Sequence, residues 1–481
     1  MKKILTTIVF ILIGCAGPSR QIQTELIPPQ GPPGDMALQR LAGALSIPTV
    51  SWSDTAATEA EAFLTFHRFL VEHFPRVHRN LNRETINQFS LLYTWSGRRS
   101  DLPPLLLMAH SDVVPADNSD QSRWDHDPFQ GKIVNDVLFG RGAVDNKSAL
   151  LGILEAVEYL LGQGYQPERT ILLAFGHDEE ISGHAGAARI ADVLKQRQIT
   201  PWLILDEGGA IVTEGVPGIS APVALVGIAE KGYVSLELSA TGTGGHSSMP
   251  PPETAITVLS KAVAAVSDHP MPGSLEGPIR EMLITLAPES HFPFNLLFSN
   301  LWAFGGIIEG QLAASPKSNA LIRTTTAPTM FHAGVKDNQL PQKATAVINF
   351  RLKPGDTTAD VIRHVEKVID NPDVSVKPVG TFQNEPSVVS NYHSPQYDAI
   401  ATSIRRTFPD VIVSPYLTVG GTDTKYYAGM SDQIYRFLPL QFAPGQLDGM
   451  HGINEYITKE NYAQLIGFYV QLIRNVTENA N

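Results

Sequence analysis

The stretch LLAFGHDEEISGHAG, Leu172 to Gly186, carries the signal that decides the fold. It begins with four apolar residues in succession, a pattern typical of a strand that is buried on both faces. After one glycine it continues into four polar residues, His177 to Glu180. A buried strand has no structural need for so much charge at its end. The stretch therefore predicts a core strand whose carboxyl end leads into a functional loop.

Two further apolar runs resemble this strand, LPPLLLMAH before it and PWLILDEGG after it. Segments that we assign to helices separate the three runs, NKSALLGILEAVEYLLGQG on one side and AGAARIADVLKQRQ on the other. Strands that alternate with helices in this rhythm are typical of a parallel sheet covered by helices. We therefore predict an α/β fold with a mainly parallel sheet.

The pattern changes near Gly232, where YVSLELSATG and KATAVINFRLKPG alternate between apolar and polar residues. Such alternation is typical of strands with one face in water. Together with nearby helical segments, these strands predict a smaller α+β unit inserted into the larger one. The predicted divisions are a signal segment (1–14), a flexible tether (15–34), the first part of the larger unit (35–232), the insert (233–382) and the second part of the larger unit (383–481).

The middle of the predicted insert, residues 270–315, is long and apolar and includes the run FPFNLLFSNLWAFGGIIEG. It can form the core of the insert or a contact between subunits. Alternatively, it can form an apolar wall for a lipid-like substrate. The sequence leaves both interpretations open.

The composition is that of a globular protein, with 43% hydrophobic and 17% charged residues in a chain of 481. This length favours two domains, or one large domain with an insert. The net charge of −12 argues against a nucleic-acid partner, because phosphates require a basic surface. Cys15 is the only cysteine, which excludes intrachain disulfides and cysteine-rich zinc sites.

The amino terminus has the features of a secretory signal. MKK is basic, and the following run ILTTIVFILIG is shorter than the roughly 20 residues of a membrane-spanning helix. It ends in Leu12-Ile13-Gly14-Cys15, which resembles a bacterial lipobox, so we expect lipidation of Cys15. Ala16 follows instead of aspartate, and by the same resemblance this favours the outer membrane, with the protein facing the periplasm. An ordinary signal peptide with an incidental cysteine is the alternative.

Each buried strand of the first half ends in residues that could bind a metal ion: His110, the pair Glu179 and Glu180, and Asp206. The carboxyl ends of parallel strands form one edge of a sheet, where the functional crevices of open α/β folds lie. Asp145, at the start of a long helix, is a further candidate, although alone it could be a helix cap. Carboxylates this close together repel each other, and divalent cations remove the conflict. A mixed set of histidine and carboxylates suits zinc, with cobalt or manganese as substitutes.

Seven motifs occur in the order found in the di-zinc aminoacylase and carboxypeptidase family, which the sequence therefore resembles. They are AHSDVVP, LFGRGAVDNKSA, GHDEEISGHAGA, LDEGG, GHSSMPP, GGTD and MHGINEYI, and the likeness extends from about residue 40 to about residue 470. GIAEKGYVSLEL and the segment from Arg323 to Thr357 resemble the carboxypeptidase S branch, which includes N-fatty-acyl amino acid hydrolases. The resemblance implies a di-metal hydrolase domain with an inserted, ferredoxin-like lid.

The resemblance also implies which residues bind two zinc ions. Asp145 would bridge the two ions. His110 and Asp206 would complete one site, and Glu180 and His451 would complete the other. His451 is otherwise a single loop histidine in DGMHGINEY, so its assignment depends on the resemblance.

The same resemblance assigns three residues to catalysis. Glu179 would be the general base, taking a proton from a hydroxide-forming water that bridges the two ions and later giving it to the leaving nitrogen. Asp112 would hydrogen-bond a metal-binding imidazole and fix its tautomer. His246, in GTGGHSSMPP, would donate to the oxyanion of the tetrahedral intermediate, from the same chain or from the partner subunit of a homodimer.

The resemblance implies a substrate amide whose leaving part is an amino acid with a free carboxylate. Asn338 and Arg351 resemble positions that bind this carboxylate, although Arg351 could simply face water on an alternating strand. The acyl part stays open. The apolar run from Phe294 to Ile308 would suit a fatty acyl chain, and a short peptide would also fit, so N-acyl amino acids and dipeptides are both candidate substrates.

A lipoprotein binding module that kept the fold and lost catalysis is the alternative function. Glu179 discriminates between the two, because a protein that only binds has no need of a general base. Glu179 and all five proposed metal ligands are present in the chain, which favours an enzyme.

Overall fold

The computed structural model describes residues 17–28, 30–52, 60–116 and 123–478. The predicted signal peptide and Cys15 lie outside the described residues. Within the described part of the chain, no helix combines the length and the apolar character that crossing a bilayer requires. Two sheets dominate the fold, and a helical segment packs against the larger one.

Helices and strands alternate along the first half of the chain, as the sequence predicts. The strands are β1 (Asn82–Ile86), β2 (Ser90–Trp95), β3 (Leu105–His110), β4 (Lys132–Val134), β5 (Val137–Phe139), β6 (Ile171–Gly176), β7 (Leu203–Asp206), β8 (Ile211–Val212), β9 (Val223–Glu230), β10 (Gly232–Thr241), β11 (Gly245–His246), β12 (Thr325–Ala333), β13 (Gln339–Leu340), β14 (Lys343–Leu352), β15 (Val374–Asn384), β16 (Ile412–Thr418), β17 (Ile434–Arg436), β18 (Gln441–Phe442) and β19 (Tyr456–Thr458). The α-helices are α1 (Gly34–Leu45), α2 (Ala60–His73), α3 (Pro75–Asn80), α4 (Lys147–Gly162), α5 (Ala187–Gln196), α6 (Ala255–Asp268), α7 (Pro278–Leu286), α8 (Phe294–Ser299), α9 (Leu301–Ala313), α10 (Pro316–Ile322), α11 (Thr358–Ile369), α12 (Pro395–Thr407) and α13 (Lys459–Glu478).

The larger sheet has ten strands in the order β1-β2-β6-β3-β7-β17-β9-β8-β18, with β16 paired to β9. β3 runs parallel to both β6 and β7, so that Leu105 lies beside Ile171 on one side and Leu203 on the other. All three strands are fully buried, because α4 and α13 pack on one face of the sheet and α5 packs on the other. Their carboxyl ends therefore meet at one edge, as predicted.

The smaller sheet has the antiparallel order β12-β14-β10-β15. Alternate residues of β10 and β14 are buried under α6 and α11, and the intervening residues are partly exposed. A single residue, Lys231, separates β9 of the larger sheet from β10 of the smaller one. The predicted fold class, α/β with a largely parallel central sheet, is confirmed. The residue boundaries of the two units stay a prediction.

The apolar middle of the insert forms four short helices, α7 to α10, with a small core of their own. Leu286 of α7 packs with Val223 of β9 and Ile412 of β16, which attaches the segment to the larger sheet. The buried ammonium group of Lys231 donates hydrogen bonds to two carbonyl oxygens at the carboxyl end of α10 (2.8 and 3.0 Å). This packing supports a structural core, rather than a substrate wall, as the role of the segment.

The segment predicted as a flexible tether is packed against the larger sheet where it is described. The Gln21 side chain forms two hydrogen bonds with the backbone of Val413 in β16 (2.8 and 3.1 Å). The backbone N–H of Ile27 donates to the carbonyl of Arg406 (2.7 Å), and α1 begins at Gly34. The hydrogen bonds of Gln21 and Ile27 attach these residues to the larger unit, and the extent of the tether stays a prediction.

Candidate metal centre

Three predicted ligands converge at the carboxyl edge of the larger sheet. His110 is the last residue of β3, Asp145 lies just before α4, and Glu180 lies in a short 3-10 turn after β6. The Nε2 atom of His110 lies 3.0 Å from Asp145 Oδ1. One ligand atom from each of the three residues lies within 4.8 Å of the others, which is close enough for them to share a cation.

A second histidine reaches Asp145 from the far end of the chain. His451 Nε2 lies 3.0 Å from Asp145 Oδ2 and 3.0 Å from Glu180 Oε2. The two oxygens of Asp145 thus face two different imidazoles. A carboxylate in this position can bridge two cations, with one histidine on each. The structure therefore brings together four of the five predicted ligands, His110, Asp145, Glu180 and His451.

The fifth predicted ligand, Asp206, stays a prediction, because its buried Oδ2 has no hydrogen-bond partner among the described residues. Its neighbour Glu207 is a second candidate for the same place. Glu207 Oε1 lies 3.3 Å from His110 Nε2, and Glu207 forms a second close group with His110 and Glu179. Among the described residues, neither of these groups includes Asp206. Asp206 is still held within β7, in register with Arg436 of β17, whereas Glu207 lies beyond the end of the strand and reaches His110. The sequence carried a signal for this, because Asp206 and Glu207 form a second pair of adjacent acids.

The buried carboxylate of Asp112 organises this edge of the sheet. Its Oδ1 lies 3.2 Å from His110 Nδ1, the ring nitrogen that points away from the cluster. Its two oxygens accept hydrogen bonds from the backbone N–H groups of Glu179 and Glu180 (3.2 and 3.1 Å) and from the Ser51 hydroxyl (2.6 Å). One side chain therefore orients the imidazole and holds the turn that carries both glutamates.

Glu455, which was not among the predicted site residues, fixes the backbone of Asp145. This buried carboxylate accepts hydrogen bonds from the backbone N–H groups of Val144 and Asp145 (2.6 and 3.0 Å) and pairs with the buried guanidinium of Arg141 (2.7 Å). Glu455 follows His451 in the same loop. One loop therefore supplies a candidate ligand and also positions another, but nothing in its spacing distinguishes Glu455 from an ordinary surface acid.

Acidic side chains outnumber basic ones at this edge of the sheet. Burial, with the charge of Asp145, raises the pKa of Glu207 to about 8, and burial raises the pKa of Asp206 to about 6. Hydrogen bonds with Asp145 and Glu180 raise the pKa of His451 to about 10. In the described part of the chain, the buried Oε1 of Glu180 has no hydrogen-bond partner. Surplus negative charge, an open carboxylate oxygen and two imidazoles fit a pair of divalent cations.

Glu179 lies beside the cluster and is not part of the group formed by His110, Asp145 and Glu180. Its carboxylate belongs to the group with His110 and Glu207, and burial raises its pKa well above the usual value. The charges of Asp423 and Glu207 act in the same direction. A glutamate in such an environment can accept a proton and return it, as a general base must.

The three predicted residues of the insert lie in two separate places. His246 is exposed in β11, near Asn338, whose carbonyl accepts a hydrogen bond from the residue after His246 (3.2 Å). Arg351 lies near the other end of the smaller sheet, with its guanidinium carbon 4.7 Å from the centre of the Tyr233 ring. β14 runs between the two places and spans roughly 30 Å at about 3.3 Å per residue. Within one chain, Asn338 and Arg351 are therefore too far apart to bind the same substrate carboxylate.

Comparison with known proteins decides the family. The model of peptidase family M20/M25/M40 matches residues 106–475. The chain belongs to this family. The M20 chain is 43% identical over 441 residues to probable carboxypeptidase S-like 2 of Dictyostelium discoideum, covering 91% of this chain and 84% of that protein. It is 38% identical over 437 residues to the N-fatty-acyl-amino acid synthase/hydrolase PM20D1.1 of Danio rerio, covering 90% and 84%.

The fold of the M20 chain also matches a solved structure. The crystal structure of the M20 family metallo-carboxypeptidase Sso-CP2 from Sulfolobus solfataricus aligns with a TM-score of 0.65 at 19% identity, covering 91% of this chain and 98% of that one. At this identity the match supports the fold alone. The resemblance drawn from the motifs is confirmed, including its carboxypeptidase S branch, and the M20 chain is an enzyme of the metallopeptidase type.

Proposed function

We propose that this M20 enzyme hydrolyses the amide bond of N-acyl amino acids or small peptides that carry a free carboxylate. The observation that carries the proposal is the position of Asp145, whose two oxygens face His110 and His451. Glu179 lies beside this arrangement as a partly buried acid whose pKa is raised, so that it can move a proton. Such a set combines a place for two cations with a base, which is what metal-assisted amide hydrolysis needs.

Two divalent cations would occupy the cluster. Asp145 would bridge them, with His110 and Glu207 on one and Glu180 and His451 on the other. We propose zinc as the native metal, with cobalt or manganese as substitutes, because the donors are imidazole and carboxylate. When bound, the two cations supply Lewis-acid chemistry, because they lower the pKa of a shared water and polarise the scissile carbonyl.

Glu179 would take the proton that is released when water attacks the amide carbon. The hydrogen bond from its backbone N–H to Asp112 keeps the turn in place during this transfer (3.2 Å). The same proton would then pass to the leaving nitrogen, which breaks the carbon–nitrogen bond and restores the carboxylate. Asp112 acts only by positioning, since its oxygens are occupied by His110, Ser51 and the two backbone donors.

His246 would donate a hydrogen bond to the oxyanion of the tetrahedral intermediate. Its Nδ1 accepts a hydrogen bond from the backbone N–H of Ser248 (3.1 Å), so Nε2 carries the proton that can be donated. Because His246 is exposed and lies outside the ligand groups, it would reach the substrate by movement of the insert or from the partner subunit of a homodimer.

The substrate class follows from the leaving group. A carboxypeptidase and an N-acyl-amino acid hydrolase both release an amino acid whose carboxylate is free, and the two similar proteins bear these names. Arg351 is the proposed partner of this carboxylate, since it lies at the end of the smaller sheet that joins the larger one. A guanidinium can bind a carboxylate through two parallel hydrogen bonds. Asn338 would contribute only from a second chain.

Removal of the metal is expected to abolish hydrolysis. The metal-loaded enzyme is incubated with a panel of N-acetyl amino acids, N-fatty-acyl amino acids and dipeptides, and the released amine is measured. Treatment with a chelator should lower the rate by more than about a hundredfold, because both the activated water and the polarised carbonyl are lost. Addition of zinc, cobalt or manganese should restore it.

The matched controls for this panel are the same compounds with the carboxylate converted to an amide. We expect these to be poor substrates, since Arg351 then has no anion to bind. Hydrolysis that persists after the metal content has fallen to background would overturn the proposal. Absence of any amine release across the panel would instead favour the alternative of a protein that only binds.

We also propose that Cys15 anchors the protein by lipid to the outer membrane, facing the periplasm. In the Cys15→Ser variant the acceptor thiol is absent, so the protein is expected to move from the membrane fraction to the soluble periplasmic fraction. Ser19→Ala, four residues away, is the matched control and should stay with the membrane. Immunoblots of the two fractions measure the distribution. Retention of Cys15→Ser in washed membranes would show that the lipobox interpretation is wrong.

A further inference from the structure

An uncharged apolar surface lies on the helical segment of the insert. We define the apolar face by four exposed residues of α9, Trp302, Ala303, Gly306 and Ile307. Phe292, which is also exposed, precedes α8 in the same helical segment. The side chains of Phe292, Trp302 and Ile307 are 74%, 83% and 67% exposed. Along α9, Gly306 lies four positions after Trp302 and three after Ala303, and Ile307 lies four after Ala303, so these residues share one side of the helix. Large apolar side chains exposed together usually mark a site of interaction.

Charges are excluded from this face. The chain has no Asp, Glu, Lys or Arg from Phe292 to Ile308. The carboxylate of the next residue, Glu309, lies against Gly273, next to the guanidinium of Arg323. A polar or ionic partner therefore finds nothing to pair with on the apolar face, whereas an apolar partner does.

The amino-terminal segment brings the predicted anchor to the helical segment that carries the apolar face. Ser19 lines a crevice together with His291, the residue that precedes Phe292. Gln21 is held on β16 by its two hydrogen bonds, so the chain cannot swing away from this point. Ser19 lies only four positions after Cys15, a span of at most about 14 Å. A lipid on Cys15 would therefore enter a membrane close to the apolar face.

We propose that the apolar face docks on the surface of a lipid bilayer, as a second contact beside the predicted lipid on Cys15. Tryptophan and phenylalanine partition into the boundary between headgroups and acyl chains. A helix that lies in this boundary with its apolar side down is an established mode of peripheral binding. The net charge of −12 removes attraction to anionic lipids as the driving force, so apolar contact has to provide it.

A reversible contact of this kind would act mainly by orienting the protein. A lipid on Cys15 would attach the protein at a single point and would not fix its orientation. The apolar face would instead hold the helical segment, and the insert that contains it, against the membrane. If the proposed function holds, acyl substrates concentrated in the bilayer would then be presented to the insert.

Vesicle binding tests this proposal on the mature chain with Cys15→Ser, so that no lipid contributes. The protein is sedimented with an excess of zwitterionic phosphatidylcholine vesicles at low and high salt. We expect binding of the parent protein that does not weaken at high salt. The double variant Trp302→Ser/Ile307→Ser should lose at least about tenfold in the partition coefficient, because it lacks two apolar side chains that the bilayer would bury. The contact made by the apolar face alone is weak, so the dilution during cell fractionation should release it. The Cys15→Ser protein can therefore bind an excess of vesicles and still appear in the soluble periplasmic fraction.

Val335→Ser is the matched control, because Val335 is 92% exposed but lies in the turn after β12, outside the apolar face. It should bind vesicles like the parent protein. Failure of the parent to bind, or equal binding by the double variant, would overturn the proposal. So would a dimer of the parent in light scattering that the double variant loses, since a second copy would then cover the face. Hydrolysis of a soluble N-acetyl amino acid by all variants shows that they are folded and tests the proposed function separately.

Discussion

Replacement of Glu179 by glutamine is expected to lower kcat by about a thousandfold while the enzyme keeps both cations. Glutamine has nearly the same size and fills the same buried space, but it cannot take a proton from water. The hydrogen bond to Asp112 comes from the backbone N–H of Glu179, so the turn should keep its position in the variant (3.2 Å). The released amine measures kcat, and elemental analysis measures the metal content.

The matched control for this variant is Glu168→Gln. Glu168 forms a surface ion pair with Arg98 (3.1 Å), so its loss should leave kcat and metal content unchanged. A Glu179→Gln enzyme with a kcat near that of the wild type would refute the assignment of the base. Loss of one cation in the variant would show instead that Glu179 is a ligand, which its closeness to His110 and Glu207 makes a real alternative outcome.

The core of the fold could be predicted because its central strands are buried on both faces. β3, β6 and β7 are short, fully buried strands with apolar sequences, and segments with helical spacing separate them. The alternation in β10 and β14 was equally readable, because one face of each strand packs under helices. β12 was not predicted as a strand, since all but its first residues are exposed and Pro328 interrupts it, as is tolerated at the edge of a sheet.

The candidate site was predictable where a ligand follows directly from a strand. His110 and Glu180 lie at the ends of β3 and β6, so their places follow from the parallel order of the strands. His451 reaches Asp145 through a long loop, and only the resemblance to a family located it. Local pattern contains no information about such a contact, because the loop is held by tertiary packing.

The remaining misses have the same physical origin. Glu455 holds Asp145 across 310 residues of sequence, and Gln21 reaches Val413 across 392. Neither side chain belongs to a periodic pattern that would reveal its partner. The choice between the adjacent acids Asp206 and Glu207 stays open for a related reason, because it depends on where β7 ends, and strand ends are hard to predict from sequence.

Replacement of Glu207 by glutamine is expected to remove one cation and more than about a hundredfold of the activity, whereas Asp206→Asn should retain both cations. The carboxylate of Glu207 lies 3.3 Å from His110 Nε2, so its loss leaves that histidine and the bridging Asp145 as the only protein ligands of one cation. Asp206 pairs in register with Arg436 and lies outside the ligand groups, and the asparagine variant removes only a nearby negative charge.

These two variants form a matched pair, because each converts one of two neighbouring acids to its amide. Elemental analysis after gel filtration measures the number of cations per chain. This number distinguishes direct binding by a carboxylate from a general effect of its charge, and kcat should fall in parallel with it. Equal losses in both variants would mean that the negative charge of the pair matters more than direct binding by either residue. Loss of a cation in Asp206→Asn alone would restore Asp206 as the ligand. A carboxylate can bind a cation only if it lies within reach of it. Glu207 lies beside His110, and one oxygen of Asp145 faces that histidine while the other faces His451. We therefore expect the loss of Glu207 to remove the cation beside His110.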